Sequence, residues 1–332
     1  MSGTVAVLGG GAWGTALACV ARRAGRPVRI WVRNAQAAEA IAAGSNPGRL
    51  PGVALERGIA ASTDLAEVLS GADFALLAVP AQVLRSVAEA AAPVLPDGLP
   101  VAICAKGIER GTLKRMSEVL AEALPAARAC VFSGPTFAAE VARGLPTAIT
   151  LAAEDQDAAA RIQAGVGSGT LRAYLSDDPV GAELGGAIKN VIALAAGIAT
   201  GRGLGENARA ALVSRGLAEM VRLSVAEGGR AETLMGLAGA GDLILTAMSE
   251  TSRNTSFGIA VGEGRRIGEV LTARRAVTEG YWSAQAVAAL AARAGVDMPI
   301  TQMVNAILDQ KLDVDAAIAQ LMERPTASEF RS

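Results

Sequence analysis

The chain has 332 residues, 51% of them apolar and 19% charged, with a formal net charge of −1. That length accommodates two ordinary domains with ample core material, and the near-zero charge removes any general attraction to nucleic acid or to an anionic membrane surface. Three cysteines (Cys19, Cys104 and Cys130) without Cys-x-x-Cys spacing, and the absence of histidine, argue against a disulfide framework and against a metal site.

The N-terminal residues lack a charged segment followed by a long apolar core, so no signal peptide is expected. No run of about 18 uncharged apolar residues marks a membrane span, and a reduced, cytoplasmic setting is the expectation. Val5-Ala6-Val7-Leu8 reads as a strand, residues 16–22 as a helix stopped at Gly25, and residues 28–32 as a second strand. Asp64 with Glu67 reads as a capping box. The apolar runs 74–79, 101–105 and 129–132 read as strands of a parallel sheet, with residues 147–151 and 171–175 as candidates for added strands. Such alternation predicts a doubly wound α/β domain over residues 1–178.

The pattern changes at Ser176-Asp177-Asp178-Pro179, a polar, proline-containing break. Beyond it strand signals are almost absent. Val213, Leu217, Met220, Val221, Ser224 and Val225 trace one helical face. Val287, Leu290, Ala291 and Ala294 trace another, ended by Gly295, and Val304, Ile307, Leu308 and Leu312 a third. Residues 179–332 are therefore expected to form an all-helical domain.

Gly9-Gly10-Gly11-Ala12-Trp13-Gly14 fits Gly-x-Gly-x-x-Gly between the first strand and first helix. In this pattern Gly9 permits the tight turn, Gly11 lets a pyrophosphate approach the backbone, and Gly14 allows close helix–strand packing. The helix N-terminus then offers N–H groups to the anion. Where an NAD-selective site expects an acidic residue after the second strand, this chain has Arg33-Asn34. An arginine there suits a 2′-phosphate, which favours NADP(H) without closing the site to NAD(H).

Lys189 lies in Gly185-Gly186-Ala187-Ile188-Lys189-Asn190-Val191-Ile192-Ala193. An amine in so apolar a helix is either a snorkelling surface lysine or a buried group with a shifted pKa, able to move protons in a chain without histidine. Further polar segments follow strand ends or turns: Ala105-Lys106-Gly107-Ile108-Glu109, Ser133-Gly134-Pro135-Thr136-Phe137-Ala138, Gly239-Ala240-Gly241-Asp242-Leu243 with Thr246 one turn on, and Ser252-Arg253-Asn254. Taken singly, each also fits a cap, a turn or a solvated surface.

Together, and with Val277-Thr278-Glu279-Gly280, Asn207-Ala208-Arg209-Ala210-Ala211-Leu212 and Arg215-Gly216-Leu217-Ala218-Glu219-Met220, these segments resemble the bacterial NAD(P)-dependent glycerol-3-phosphate dehydrogenases of the soluble type, over essentially the whole chain. The resemblance implies a Rossmann-type N-terminal domain, an all-α C-terminal domain and an active site between them. It implies reversible reduction of dihydroxyacetone phosphate to sn-glycerol 3-phosphate, a precursor for phospholipid synthesis. Lys189 is similar to that family's proton-transfer lysine, and Lys106 to a lysine near both substrate and nicotinamide. Gly134, Thr136, Asp242, Ser252, Arg253 and Asn254 match substrate-binding positions. Ala138, Arg253, Val277 and Glu279 match cofactor-binding positions, beside Ala12, Trp13 and the turn glycines. Asn190, Asp242 and Thr246 resemble the groups that orient the lysines.

The chain departs from the family pattern at Ala12, where serine is frequent, at Arg49, where an aromatic is frequent, and at Ala139, where lysine is frequent. The rival readings are a β-hydroxyacid dehydrogenase of the 6-phosphogluconate type and a dinucleotide-binding sensor without catalysis. A small phosphorylated substrate is the expected partner, no metal is expected, and a homodimer is left open.

Overall fold

The computed structural model describes residues 3–273 and 279–325. Its first half carries β1 (Thr4–Leu8), β2 (Val28–Trp31), β3 (Ile59–Ser62), β4 (Ala72–Leu77), β5 (Pro100–Ile103), β6 (Arg128–Ser133), β7 (Thr147–Ala152) and β8 (Leu171–Ser176). These form one sheet in the order β3-β2-β1-β4-β5-β6-β7-β8. All neighbours run parallel except β6 and β7, so the two added strands are present and the first of them reverses direction. Between the strands run α1 (Ala12–Arg23), α2 (Ala35–Ala42), α3 (Leu65–Leu69), α4 (Leu84–Ala91), α5 (Met116–Ala123), α6 (Ala138–Ala142) and α7 (Gln156–Val166). Val5 and Val7 of β1 pack with Leu17, Phe74 and Phe132 on one face, Ala6 and Leu8 with Leu77, Leu84 and Val101 on the other. Both faces are covered, which explains why the strands read as continuous apolar runs.

Asp64 caps α3 by accepting from the Ala66 N–H at 2.8 Å, but the box does not close: the Ser62 hydroxyl accepts from the Asp64 N–H and donates to Glu67. The helix read at 16–22 begins earlier, at Ala12, because the glycine turn runs straight into its first turn.

After Ser176 no strand occurs among the described residues. Asp178 caps α8 (Pro179–Gly201), accepting from the Gly181 N–H at 2.8 Å and the Arg230 N–H at 2.9 Å. The helices that follow are α9 (Gly205–Ala226), α10 (Ala231–Met235), α11 (Asp242–Met248), α12 (Arg253–Gly262), α13 (Ile267–Thr272), α14 (Glu279–Arg293), α15 (Pro299–Leu308) and α16 (Val314–Met322). A π-helical turn over Leu237–Gly241 leads into α11. α8 is long and apolar enough to cross a membrane, yet it is the buried axis of this region, with residues 181–199 all inside. Its charged groups, Glu183 and Lys189, are therefore buried as well. The α14 stripe falls as expected. The α9 stripe does so in part: Met220 and Ser224 are buried and Val213, Leu217 and Val221 pack against the core, but Val225 is 51% exposed and the buried row also takes in Gly216, Glu219 and Leu223. Leu312 lies beyond α15, which ends at Leu308 before Gln310 takes a positive φ of 57°.

Candidate active site

The carboxyl ends of β1, β5 and β6 carry the glycine turn, Lys106 and Gly134 on one edge of the sheet, where open α/β sheets bind ligands. Gly9 has φ +122°, and a Cβ there would stand 2.5 Å from the Ala78 carbonyl oxygen. A Cβ on Gly14 would lie 1.9 Å from the Gly9 carbonyl oxygen, so α1 can pack against the turn only as glycine allows. A Cβ on Gly11 would meet nothing within 4 Å. Gly11 is also the N-cap of α1 and brings no side-chain cap. This open, donor-rich end fits a dinucleotide pyrophosphate.

The Asn46 amide, buried, donates to the Gly10 carbonyl at 3.2 Å and to Thr15 Oγ1 at 2.8 Å, fixing the turn from a loop that sequence reasoning passed over. An asparagine before proline signals a loop but not its partner. Trp13 packs edge-on against Phe132 with ring centroids 5.9 Å apart. Arg33 is exposed just past β2, while Asn34 caps α2, accepting from the Ala37 N–H at 3.2 Å.

Lys189 is the buried group of the two readings. Its Nζ donates to Thr246 Oγ1 at 2.7 Å and stands 3.1 Å from Asp242 Oδ1. Lys106 Nζ donates to the other Asp242 oxygen at 2.7 Å, to the Gly134 carbonyl at 2.8 Å and to Thr136 Oγ1 at 3.5 Å. Asp242 thus bridges a lysine of the sheet-bearing half and a lysine of α8. Burial lowers the Lys189 pKa to about 8; Asp242 works against the shift, and Lys106 and Arg253 add to it. The Thr246 hydroxyl donates to the Asp242 carbonyl at 2.7 Å, which aims its lone pairs at Lys189.

Asn190 touches the backbone rather than an amine: its Nδ2 donates to the Lys106 carbonyl at 3.5 Å and to the Gly186 carbonyl at 3.2 Å. Asn254 donates to Asn190 Oδ1 at 2.8 Å and accepts from the Gly280 N–H at 2.9 Å. Ser252 caps α12, accepting from the Thr255 N–H at 3.3 Å. Ser252 and Asn254 are therefore engaged inside the fold, while Arg253 between them is exposed. Ala138 opens α6. Glu279 opens α14 near Gly107; burial pushes its carboxyl up to about 6, with Arg253 opposing. Val277 lies outside the described residues. Gln82, also passed over, holds the Lys106 loop by donating to the Ile108 carbonyl at 2.8 Å and accepting from the Arg110 N–H at 3.0 Å.

A pyrophosphate cradle and a lysine–carboxylate–lysine cluster on one sheet edge belong to the dinucleotide-dependent oxidoreductases. Family models sharpen this. The one described as NAD-dependent glycerol-3-phosphate dehydrogenase N-terminus matches residues 4–159, and its C-terminus counterpart matches residues 178–319. The chain belongs to that family. It is 53% identical to the glycerol-3-phosphate dehydrogenase [NAD(P)+] of Rhodospirillum rubrum over 322 residues, covering 97% of this chain and 92% of that one. It is 52% identical to the same enzyme of Parvibaculum lavamentivorans, covering 98% of each. A crystal structure of glycerol-3-phosphate dehydrogenase from Coxiella burnetii superposes with a TM-score of 0.92 at 39% identity, covering 97% of this chain and 99% of that one.

Proposed function

We propose that the protein reduces dihydroxyacetone phosphate to sn-glycerol 3-phosphate, reversibly, with NADPH favoured and NADH accepted, and so feeds phospholipid synthesis. The observation that carries this reading is the buried Lys189 amine held between Thr246 and Asp242. A protonated lysine has three donors; among the described residues Thr246 and Asp242 engage two, leaving one for a substrate oxygen. The bound nicotinamide supplies or accepts the hydride. Lys189 donates its proton to the ketone oxygen as charge develops there, and as the neutral amine it takes the hydroxyl proton in reverse. Lys106 has its three donors engaged and acts as a fixed positive charge beside the reacting oxygen.

The remaining roles follow the family pattern. Arg253 grips the substrate phosphate, since its guanidinium fork matches phosphate oxygens. Gly134, Thr136, Asn190, Asp242, Ser252 and Asn254 line the substrate, directly or by holding its neighbours. Gly9, Gly11, Ala12, Trp13, Gly14, Arg33, Lys106, Ala138, Arg253, Val277 and Glu279 receive the cofactor. The boundary between domains is proposed at 178/179. A cytoplasmic location is consistent with three buried, free cysteines, and a homodimer is the proposed assembly. The 6-phosphogluconate-type alternative is not favoured by the family match.

The test is NADPH oxidation that depends on dihydroxyacetone phosphate, measured for wild type and Lys189→Ala. Turnover should vanish in the variant while NADPH affinity, titrated by fluorescence, stays near wild type. A variant that keeps most of its kcat would remove Lys189 from the chemistry. A wild type that oxidises NADPH only with hydroxyacid substrates would remove the reaction itself.

A further inference from the structure

Glu183, Gly186 and Asn190 follow one another at i, i+3 and i+7 on α8 and so share a face. That face meets the sheet-bearing half. A Cβ on Gly186 would lie 3.1 Å from Ser133 Oγ and 3.3 Å from Lys106 Cγ, and Asn190 reaches the Lys106 carbonyl. Glu183, 6% exposed, reaches the first turn of α5: Ser117 donates its N–H to Oε1 at 2.7 Å and its hydroxyl to Oε2 at 2.6 Å. Arg115 Nη1 stands 4.0 Å away. Among the contacts along this stripe, only those of Glu183 are short and charge-assisted, and the carboxylate also sits at the favourable end of the α5 dipole. Nothing in the proton transfer uses it, and a buried carboxylate without a task is costly to keep.

We propose that Glu183 is a positioning residue: by clamping α8 to α5 it sets where Lys189 stands relative to Lys106. The inference rests on the reading of Lys189 as the proton donor. Lys189, Asp242 and Thr246 all belong to the helical region, whereas Lys106 belongs to the sheet. Their register across the junction is therefore set by contacts such as this one. If the clamp is released, Lys106 draws away from Asp242. Lys189 then loses a neighbour that holds its pKa down and keeps Asp242, which raises it. Burial pushes the Glu183 carboxyl up to about 7, with Glu118 adding to the push and Ser117 and Arg115 opposing it, so on the alkaline side the clamp is a carboxylate.

The experiment compares wild type, Glu183→Gln and Glu183→Ala for kcat, KM, NADPH affinity by fluorescence titration, and the pH dependence of kcat in the reductive direction. In Glu183→Ala, kcat should fall by on the order of a hundred-fold, as sub-ångström to ångström misplacement produces, while NADPH affinity changes little. The alkaline limb should move upward from about 8. Glu183→Gln retains an acceptor for the Ser117 N–H and should lie between the two. Should Glu183→Ala not fold, Ser117→Ala removes only the hydroxyl bond, and the limb should move in the same direction by less. A limb that stays in place in the folded variants overturns the clamp, because loss of folded protein lowers the rate without moving a titration. A wild type inactive on dihydroxyacetone phosphate would instead overturn the proposed reaction.

Discussion

Two lysines share one carboxylate at this site, and their surroundings separate their tasks. The Lys106 side chain is 16% exposed and Lys189 8% exposed. The Lys189 pKa falls to about 8. The sign of the pH dependence follows. On the proposed mechanism reduction uses the protonated amine, so its kcat should decline above about 8. Oxidation needs the neutral amine, so its kcat should rise through the same pH. Profiles measured in both directions should therefore be opposed about one apparent pKa belonging to the Lys189–Asp242–Lys106 cluster. Two limbs in the same sense would exclude Lys189 as the group that titrates. The apolar flanks of Lys189 left burial and snorkelling both open, and the packing of α8 decides for burial. Its partners were not legible, since Thr246 lies 57 residues along the chain. The i, i+4 spacing of Asp242 and Thr246 puts them on one helix face, but only packing decides which amine they meet.

At the scale of elements, α8 and α12 cross in close contact, and glycine is the reason. A Cβ on Gly197 would stand 2.1 Å from the Thr255 carbonyl oxygen, on Gly201 2.1 Å from that of Ile259, on Gly258 2.1 Å from that of Leu194, and on Gly262 2.3 Å from that of Ile198. Each helix thus presents glycines four apart to the backbone of the other. Gly197→Ala should lower the unfolding free energy by about 1–3 kcal/mol, the usual cost of overpacking, since carbonyls rather than flexible side chains must move. Gly268→Ala, where a Cβ would meet nothing within 4 Å, should be neutral or slightly stabilising. Urea unfolding of both variants checks the contrast, and equal stabilities would show that the crossing can relax. Neither glycine pair stands out in a chain with 38 glycines, which is why the sequence reading of these helices relied on apolar stripes. That approach located the α14 face and misplaced part of α9. There the buried row includes Glu219, whose carboxylate accepts from the Ile300 N–H at 2.6 Å and the Thr301 N–H at 3.1 Å, a cap on α15 invisible to periodicity.

Across the whole molecule, the alternation of strand and helix made the parallel sheet legible, and the glycine turn announced its ligand edge. The junction between sheet and helical region was not legible, because it is made of contacts between distant segments: Glu183 with Ser117, Asp242 with Lys106, and the Arg110 guanidinium over the Trp282 ring at 4.7 Å. The cofactor end is open to a measurement that does not depend on turnover. A ligand that binds only the folded protein stabilises it by about 2.7 kcal/mol at a hundred-fold excess over its Kd. Arg33 follows Val32, whose Cγ1 lies 2.2 Å from where a Gly10 Cβ would be. The backbone of Arg33 is therefore close to the turn, and Asn34 beside it is occupied with capping α2. Arg33 carries the charge that a 2′-phosphate attracts, so at equal concentration NADPH should raise the melting temperature of the wild type more than NADH does. Arg33→Asp replaces attraction by repulsion toward the phosphate and offers an acceptor to a ribose 2′-hydroxyl, so it should reverse the order of the two shifts. A variant that leaves both shifts as they were would move the discrimination elsewhere on the sheet edge.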